Sequence, residues 1–357
     1  MLACALQASQ PQGTIPVSMQ APETSSEARA TEATQPTVEM PTDAELPFET
    51  RLLNQILFGR AGLRAGWRIV LFLVGFVFFA AFSEILLTLL SGHLAIVPSA
   101  GQQHGLSAMT LMRGEMDSVV GMIGGFLAVM LVCRQSMRDY FLVDRRWFFR
   151  IAMGAVSGFV ALTALLGAMV ELQFARLGGA SELQFAQMLW QALLWAVGFL
   201  LVALFEEGTF RCFLLRTLET AFGGEQRGAH VWWGAAVLSS LVFGGIHWSN
   251  HGESPIGISS AAAIGFIFCC TIRWTGSVWW AVGFHAAWDW AQTFFYGTAD
   301  SGLLPQTHWL TTGLAGPSLW TGGATGPEGS LLILPLLVLI LLVSYLAYGR
   351  RSAKISF

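Results

Sequence analysis

Charge is what this chain of 357 residues has least of: 11% is Asp, Glu, Lys or Arg, while 54% is hydrophobic. Soluble domains carry about 25% charged residues, so a fold in water is excluded and the long apolar blocks belong in a bilayer. The net charge of -3 says little about partners. Acidic residues crowd into the first fifty positions, arginines flank the apolar blocks, and nucleic acid is not expected as a partner. The five cysteines, Cys4, Cys133, Cys212, Cys269 and Cys270, have neither metal-ligand nor disulfide spacing, and Cys212 reads as a small packing residue. No His-Glu-x-x-His helix offers a local metal nest. No internal repeat is visible, which weakens a transporter reading. Leu2 to Leu6 is too short for a signal-peptide core, and Cys4 lacks the apolar run of a lipoprotein signal.

Residues 1–50, rich in Thr, Gln, Pro, Ser, Ala and Glu, hold too little apolar area to order themselves and are expected to form a disordered cytosolic tail. The rest, 51–357, reads as one membrane domain with its core at about 188–296. The fold class is all-α: a polytopic membrane helix bundle of about eight transmembrane helices. They are expected near Ile69–Leu90, Ser118–Cys133, Ile151–Leu172, Met188–Leu215, Val231–Ile246, Ile256–Ile272, Val278–Phe295 and Leu331–Tyr348. Several fall short of the ~20 residues of a perpendicular span, so tilted or re-entrant pieces are expected. Gly121/Gly125 and Gly154/Gly158 set small residues four apart, where helices can touch closely.

Arginines sort the connections. Arg60, Arg64 and Arg68 precede the first span, Arg134 to Arg150 join the second to the third, and Arg216 and Arg227 follow the fourth. Arg273 lies between the sixth and seventh, and Arg350, Arg351 and Lys354 close the chain. The alternate loops hold Arg113 and Arg176, and Gly297 to Gly329 holds no Lys or Arg. By the positive-inside rule both termini are cytosolic.

Against this background Leu200 to Leu215, LLVALFEEGTFRCFLL, stands out. A fixed charge at mid-bilayer costs about 2.5–3.5 kcal/mol on insertion scales, and Glu206, Glu207 and Arg211 bring three. Glu207 and Arg211 stand four apart on one helix face, where they brace each other. Glu206 lies about 100° around the helix, free to face a different cavity, and reads as the working carboxylate. Two more sites carry polar groups at span depth: Phe243 to His247 ending the fifth span, and His285 to Asp289 in the seventh. Ionisable groups in membrane helices face the protein interior or a watery cavity, so helices four, five and seven should gather Glu206, His247, His285 and Asp289. Such a set supports peptide hydrolysis. A desolvated Glu beside an imidazole takes a proton from water, and further donors hold the oxyanion. Alternatively Glu206, His247 and His285 bind a catalytic zinc; the residues leave both open. One difficulty is geometric: counted along the spans, Glu206 falls toward the cytosolic side and His247 toward the other.

This pattern resembles the CAAX protease and bacteriocin-processing family of intramembrane peptidases, which includes the type II CAAX prenyl endopeptidases. The family hallmark, Glu-Glu-x-x-x-Arg, Phe-x-x-x-His and His-x-x-x-Asn/Asp, reads here as Glu206 to Arg211, Phe243 to His247 and His285 to Asp289, in order. The likeness covers about Met188 to Tyr296. It implies a glutamate-dependent endopeptidase in which Glu206 activates water with help from His247, while His285 and Asp289 stabilise the oxyanion. One departure bears on that role: Asp stands where eukaryotic-type members tend to have Asn, and an ionised Asp donates no hydrogen bond. Asp289 is then protonated, orients His285 or ligates a metal. The implied partners are the lipid bilayer and a peptide or lipidated protein substrate, and the implied location is a bacterial inner membrane. The rival readings are a non-enzymatic bacteriocin-immunity or scaffolding protein, and a proton-coupled transporter.

Overall fold

The computed structural model describes residues 55–59, 62–91, 105–223, 228–250 and 252–350. The tail expected over residues 1–50 lies outside them, as do His251 and the basic residues Arg60, Arg227, Arg351 and Lys354.

Helices stand at all eight expected places. They are α1 (Ala65–Ser91), α2 (Ala108–Cys133), α3 (Trp147–Glu171), α4 (Phe185–Gly223), α5 (Ala229–Ile246), α6 (Pro255–Thr275), α7 (Trp279–Trp290) and α8 (Ile333–Ser344). Among the described residues six, α1 to α6, are long and apolar enough to cross a membrane. α8 is a shorter apolar helix that a π-helical turn carries on to Gly349, and α7 is continued by another, Ala291–Phe295. The chain is a polytopic all-α membrane bundle. Its helix ends follow local chemistry: Ser107 accepts from the Thr110 N–H at 3.1 Å to start α2, and Ser254 accepts from Gly257 at 3.0 Å, followed by Pro255, to start α6. α6 stops at Gly276, whose φ of 68° favours glycine.

Two helices exceed their expected bounds, and both matter for the site. α2 begins ten residues before Ser118, because Arg113, Glu115 and Asp117 are helical rather than part of the flanking loop. Arg113 is offset by Glu84 of α1 at 3.6 Å. α4 passes Leu215 and runs to Gly223, with a π-helical stretch over Gly208–Leu214 directly after the paired glutamates. That extension removes the expected mismatch in depth. Glu206 precedes the end of α4 by about 17 residues and His247 follows the start of α5 by about 18, so at about 1.5 Å per residue each stands about 25–27 Å from the α4–α5 turn.

Contacts across the bundle rest on absent side chains at two helix pairs. A Cβ on Gly154 would sit 2.1 Å from the Trp280 carbonyl oxygen, and one on Gly158 2.2 Å from that of Phe284, so α3 and α7 meet backbone to backbone. Gly121 and Gly125 similarly admit Phe76 and Phe72 of α1.

The sequence shows no strand pattern, yet four short strands occur among the described residues. β1 (Phe58–Gly59) and β2 (Gly62–Leu63) form a small hairpin, and β3 (Ala175–Ala180) pairs antiparallel with β4 (Leu310–Leu314), Ala175 opposite Leu314. ARLGGA and LTTGL carry no period-2 alternation, so this pairing between distant loops left no trace in hydropathy. It is one of several ties that turn the segment between α7 and α8 into a cap. Leu106 donates to the Leu304 carbonyl at 2.7 Å, and the Trp195 indole donates to Thr307 at 3.1 Å. Thr325 donates to the Gly252 carbonyl at 3.0 Å. The opposite end of the bundle is closed by a core that includes Phe126, Tyr140, Phe213, Trp232 and Ile272.

Candidate active site

Glu206 and Glu207 are neighbours with opposite surroundings. Glu207 is fully buried and sets Oε2 3.2 Å from Nε of the equally buried Arg211, the pair that their spacing predicts. The contact is an ion pair without hydrogen-bond geometry: among the described residues no guanidinium nitrogen of Arg211 makes a hydrogen bond. The guanidinium is instead packed against aromatic rings, its central carbon 3.8 Å from the Phe243 centroid and 5.6 Å from that of Phe268. Cation–π attraction of this kind is worth about 2 kcal/mol when desolvated. Gly265 of α6 makes room for it, since a Cβ there would stand 2.4 Å from Nη2 of Arg211. Gly265→Ala should therefore displace the guanidinium and lower both the melting temperature in detergent and the activity. An unchanged melting temperature would show that Arg211 relocates freely.

Glu207 does a second thing the sequence did not reveal. Its Oε1 lies 2.9 Å from Nδ1 of His285, so one buried carboxylate holds both an arginine on its own helix and a histidine on α7. The other ring nitrogen, Nε2, faces Asp289 at 3.3 Å and Glu206 at 3.6 Å. His285 and Asp289 share a face, as their spacing of four predicts, and three carboxylates surround one imidazole. His247 is placed differently. It follows Gly244-Gly245 at the point where α5 tightens into a 3-10 turn, and its Nδ1 lies 2.8 Å from the Phe243 carbonyl. With Nδ1–H donating there, Nε2 is left as an acceptor.

The four residues expected to converge, Glu206, His247, His285 and Asp289, all line one cavity of about 350 Å3, with Phe199, Phe243, Phe268, Phe284 and Trp288 in its walls. The three residues considered for zinc are among them. Among the described residues, however, no three His, Cys, Asp or Glu side chains converge closely enough to hold a metal ion. The cavity also has acidic lining that sequence reasoning missed: Glu115, Glu253, Asp300 and Glu328. Glu115 was hidden by starting α2 at Ser118. Asn250 and Glu253, in the loop after α5, also face the cavity. Asp300 and Glu328 arrive on the cap, where no motif marks them.

The cap acids make a local network. Glu328 accepts from the Ser301 N–H at 2.8 Å and from the Gln292 amide, and Asp300 accepts from Thr293 at 3.1 Å. Burial raises both carboxyls, Asp300 to about 6 although Thr293 opposes the shift, and Glu328 well above its ordinary value with Asp300 adding to the rise. An acid raised in the folded state binds its proton more tightly there than in the opened state, so the cap is firmest at low pH and loosens as pH rises through about 6. Hydrogen exchange of the Gly297–Gly329 amides, corrected for intrinsic rate, should be slower at pH 5 than at pH 7.5. Asp300→Asn should flatten the difference, and a pH-independent exchange in the wild type would contradict the assignment.

Residues 188–291 match a family model described as type II CAAX prenyl endopeptidase Rce1-like. Over this segment the chain is similar to that family. The match spans less than a third of the chain and carries all three motifs that the resemblance rests on. Searches of curated proteins and of solved structures return no match. The bundle above makes the chain an integral multi-pass membrane protein, and the match supports a protease-like enzyme of CAAX endopeptidase type. A family of this kind implies a bilayer environment and a peptide substrate.

Proposed function

We propose that the protein hydrolyses a peptide bond in a membrane-associated or lipidated peptide, with Glu206 as the general base. The observation that carries this reading is the division of labour between the two adjacent glutamates. Glu207 is fully buried and committed to Arg211 and His285, whereas Glu206 borders the cavity, with a fifth of its side chain exposed. Glu206 takes a proton from a water in the cavity, the water oxygen attacks the carbonyl carbon, and the same proton passes to the leaving nitrogen as the C–N bond breaks. His247 supports the water through its free Nε2. His285, carrying a proton on each ring nitrogen, donates Nδ1–H to Glu207 and shares Nε2–H between Asp289, which orients it, and the developing oxyanion. Of the three roles open to Asp289, the 3.3 Å approach supports orientation of His285. No step is routed through a metal. Removing metal ions with a chelator should leave the cleavage rate unchanged.

The arginine-bearing loops support cytosolic termini, and the bacterial inner membrane is the location that the family resemblance implies. Mass spectrometry of new peptide termini, in membranes carrying wild type or Glu206→Gln, tests the reading. Termini present only with wild type are expected. Their absence from both, together with substrate-coupled proton flux in liposomes, would make the protein a transporter, and absence of both activities would leave a scaffolding or immunity protein.

A further inference from the structure

Most elements that line the cavity do so from the same end of the bundle, and α4 does so from its middle, with Phe199, Val202 and Glu206. α2 supplies Glu115 from its first turns, α5 supplies His247 from its last, and α8 supplies Ile333 and Leu337 from its start. Cap residues Asp300 and Glu328 complete the lining. These are the ends joined by the α1–α2, α5–α6 and α7–α8 connections, and hydrogen bonds draw those connections together: Leu106 with Leu304, Gly252 with Thr325, and Ser260 with the Glu328 carbonyl at 3.0 Å. The depth count agrees, putting Glu206 and His247 far from the α4–α5 turn.

The other face is where the arginines gather, and structure as well as sequence assembles it. Arg150 donates to the Thr275 carbonyl at 3.3 Å and pairs with Asp144 at 2.5 Å. The Trp279 indole donates to the Leu142 carbonyl at 2.9 Å, and Arg273 lies over Trp232 at 5.5 Å. These contacts join the α2–α3, α4–α5 and α6–α7 connections into a single basic face. Between it and the cavity lies the packed core around Phe213 and Trp232, with no lining residue below it.

We infer that the cavity is served from the membrane face opposite the arginine-bearing loops, so that with those loops in the cytosol the protein acts on a peptide segment at the extracytosolic surface of the membrane. This rests on the hydrolytic reading for what happens to the segment, but the side of access is a separate matter of geometry and charge. Basic loops are retained in the cytosol, which fixes one face. The floor of buried aromatic and aliphatic side chains closes the basic end, so a segment reaches the cavity from the cap side, past the cap or between the helix ends beside it. The cap connection itself, Gly297 to Gly329, has no Lys or Arg.

The test labels single cysteines on the two faces of the full-length protein, in a background with Cys4 and Cys133 changed to Ser; Cys212, Cys269 and Cys270 are buried. Leu304→Cys lies on the cap at 61% exposure, and Val143→Cys on the basic face at 55%. A membrane-impermeant maleimide applied to intact spheroplasts should label Leu304→Cys and reach Val143→Cys only after permeabilisation. The reverse pattern, or equal labelling of both before permeabilisation, overturns the inference. Labelling needs no catalysis, so a reversed pattern beside intact Glu206-dependent cleavage rejects the side of access alone. Failed cleavage beside the expected pattern rejects hydrolysis alone. Where cleavage occurs, new termini should map to the extracytosolic ends of substrate segments.

Discussion

Glu206→Gln should cut the cleavage rate by about 100- to 10,000-fold, the usual contribution of a positioned general base, and leave the melting temperature in detergent almost unchanged. The carboxylate borders the cavity, and its ionic neighbour is His285 at 3.6 Å. An amide of the same shape keeps the packing and loses only the ability to take a proton. Glu207→Gln is the necessary contrast. It too should lose most activity, because His285 loses its carboxylate partner, but it should also melt at a lower temperature, since Arg211 is left as a buried uncompensated charge. The pair of variants thus separates chemistry from support at adjacent positions. If Glu206→Gln cleaves at the wild-type rate while Glu207→Gln melts normally, the roles assigned here are reversed.

That contrast was partly legible in the sequence. Spacing alone pairs Glu207 with Arg211 and turns Glu206 away from them, because a helix rotates by about 100° per residue. Spacing alone also puts His285 and Asp289 on one face. What it could not supply is the second contact of Glu207, to His285 on a helix 78 positions later, since nothing local records which helix faces which. The eight helical segments were legible because apolar runs in a bilayer leave few alternatives. Their ends were not. Charged residues at Arg113, Glu115 and Asp117 resemble a flanking loop, and the polar residues after Leu215 resemble an exit from the membrane, yet both stretches are helical and partly buried. Arg216 and Glu219 illustrate why: they pair with each other three residues apart and are buried at the end of α4. The cap was least legible. Its strands and turns come from contacts between loops that lie far apart in the chain, so its acids at Asp300 and Glu328 carried no local signature.

Arg211→Ala should be the most destabilising single change in the site, at about 3–5 kcal/mol, the cost of leaving one partner of a buried pair charged and alone. Glu207 has no exposure through which to recover solvent, and the guanidinium also fills the space between Phe243, Phe268 and Gly265. Lysine is no substitute, because it lacks the planar group that stacks on Phe243. The informative variant is the double change Glu207→Leu with Arg211→Met. It removes both charges and keeps apolar bulk, so it should regain most of the lost melting temperature, as buried ion pairs replaced by apolar residues often do. Cleavage should stay lost, because Nδ1 of His285 then has no carboxylate to hold it. Recovery of both stability and activity would show that the ion pair is dispensable scaffolding and that His285 is positioned by Asp289 alone. Recovery of stability without activity would establish that the brace serves the site through the oxygen it turns toward α7.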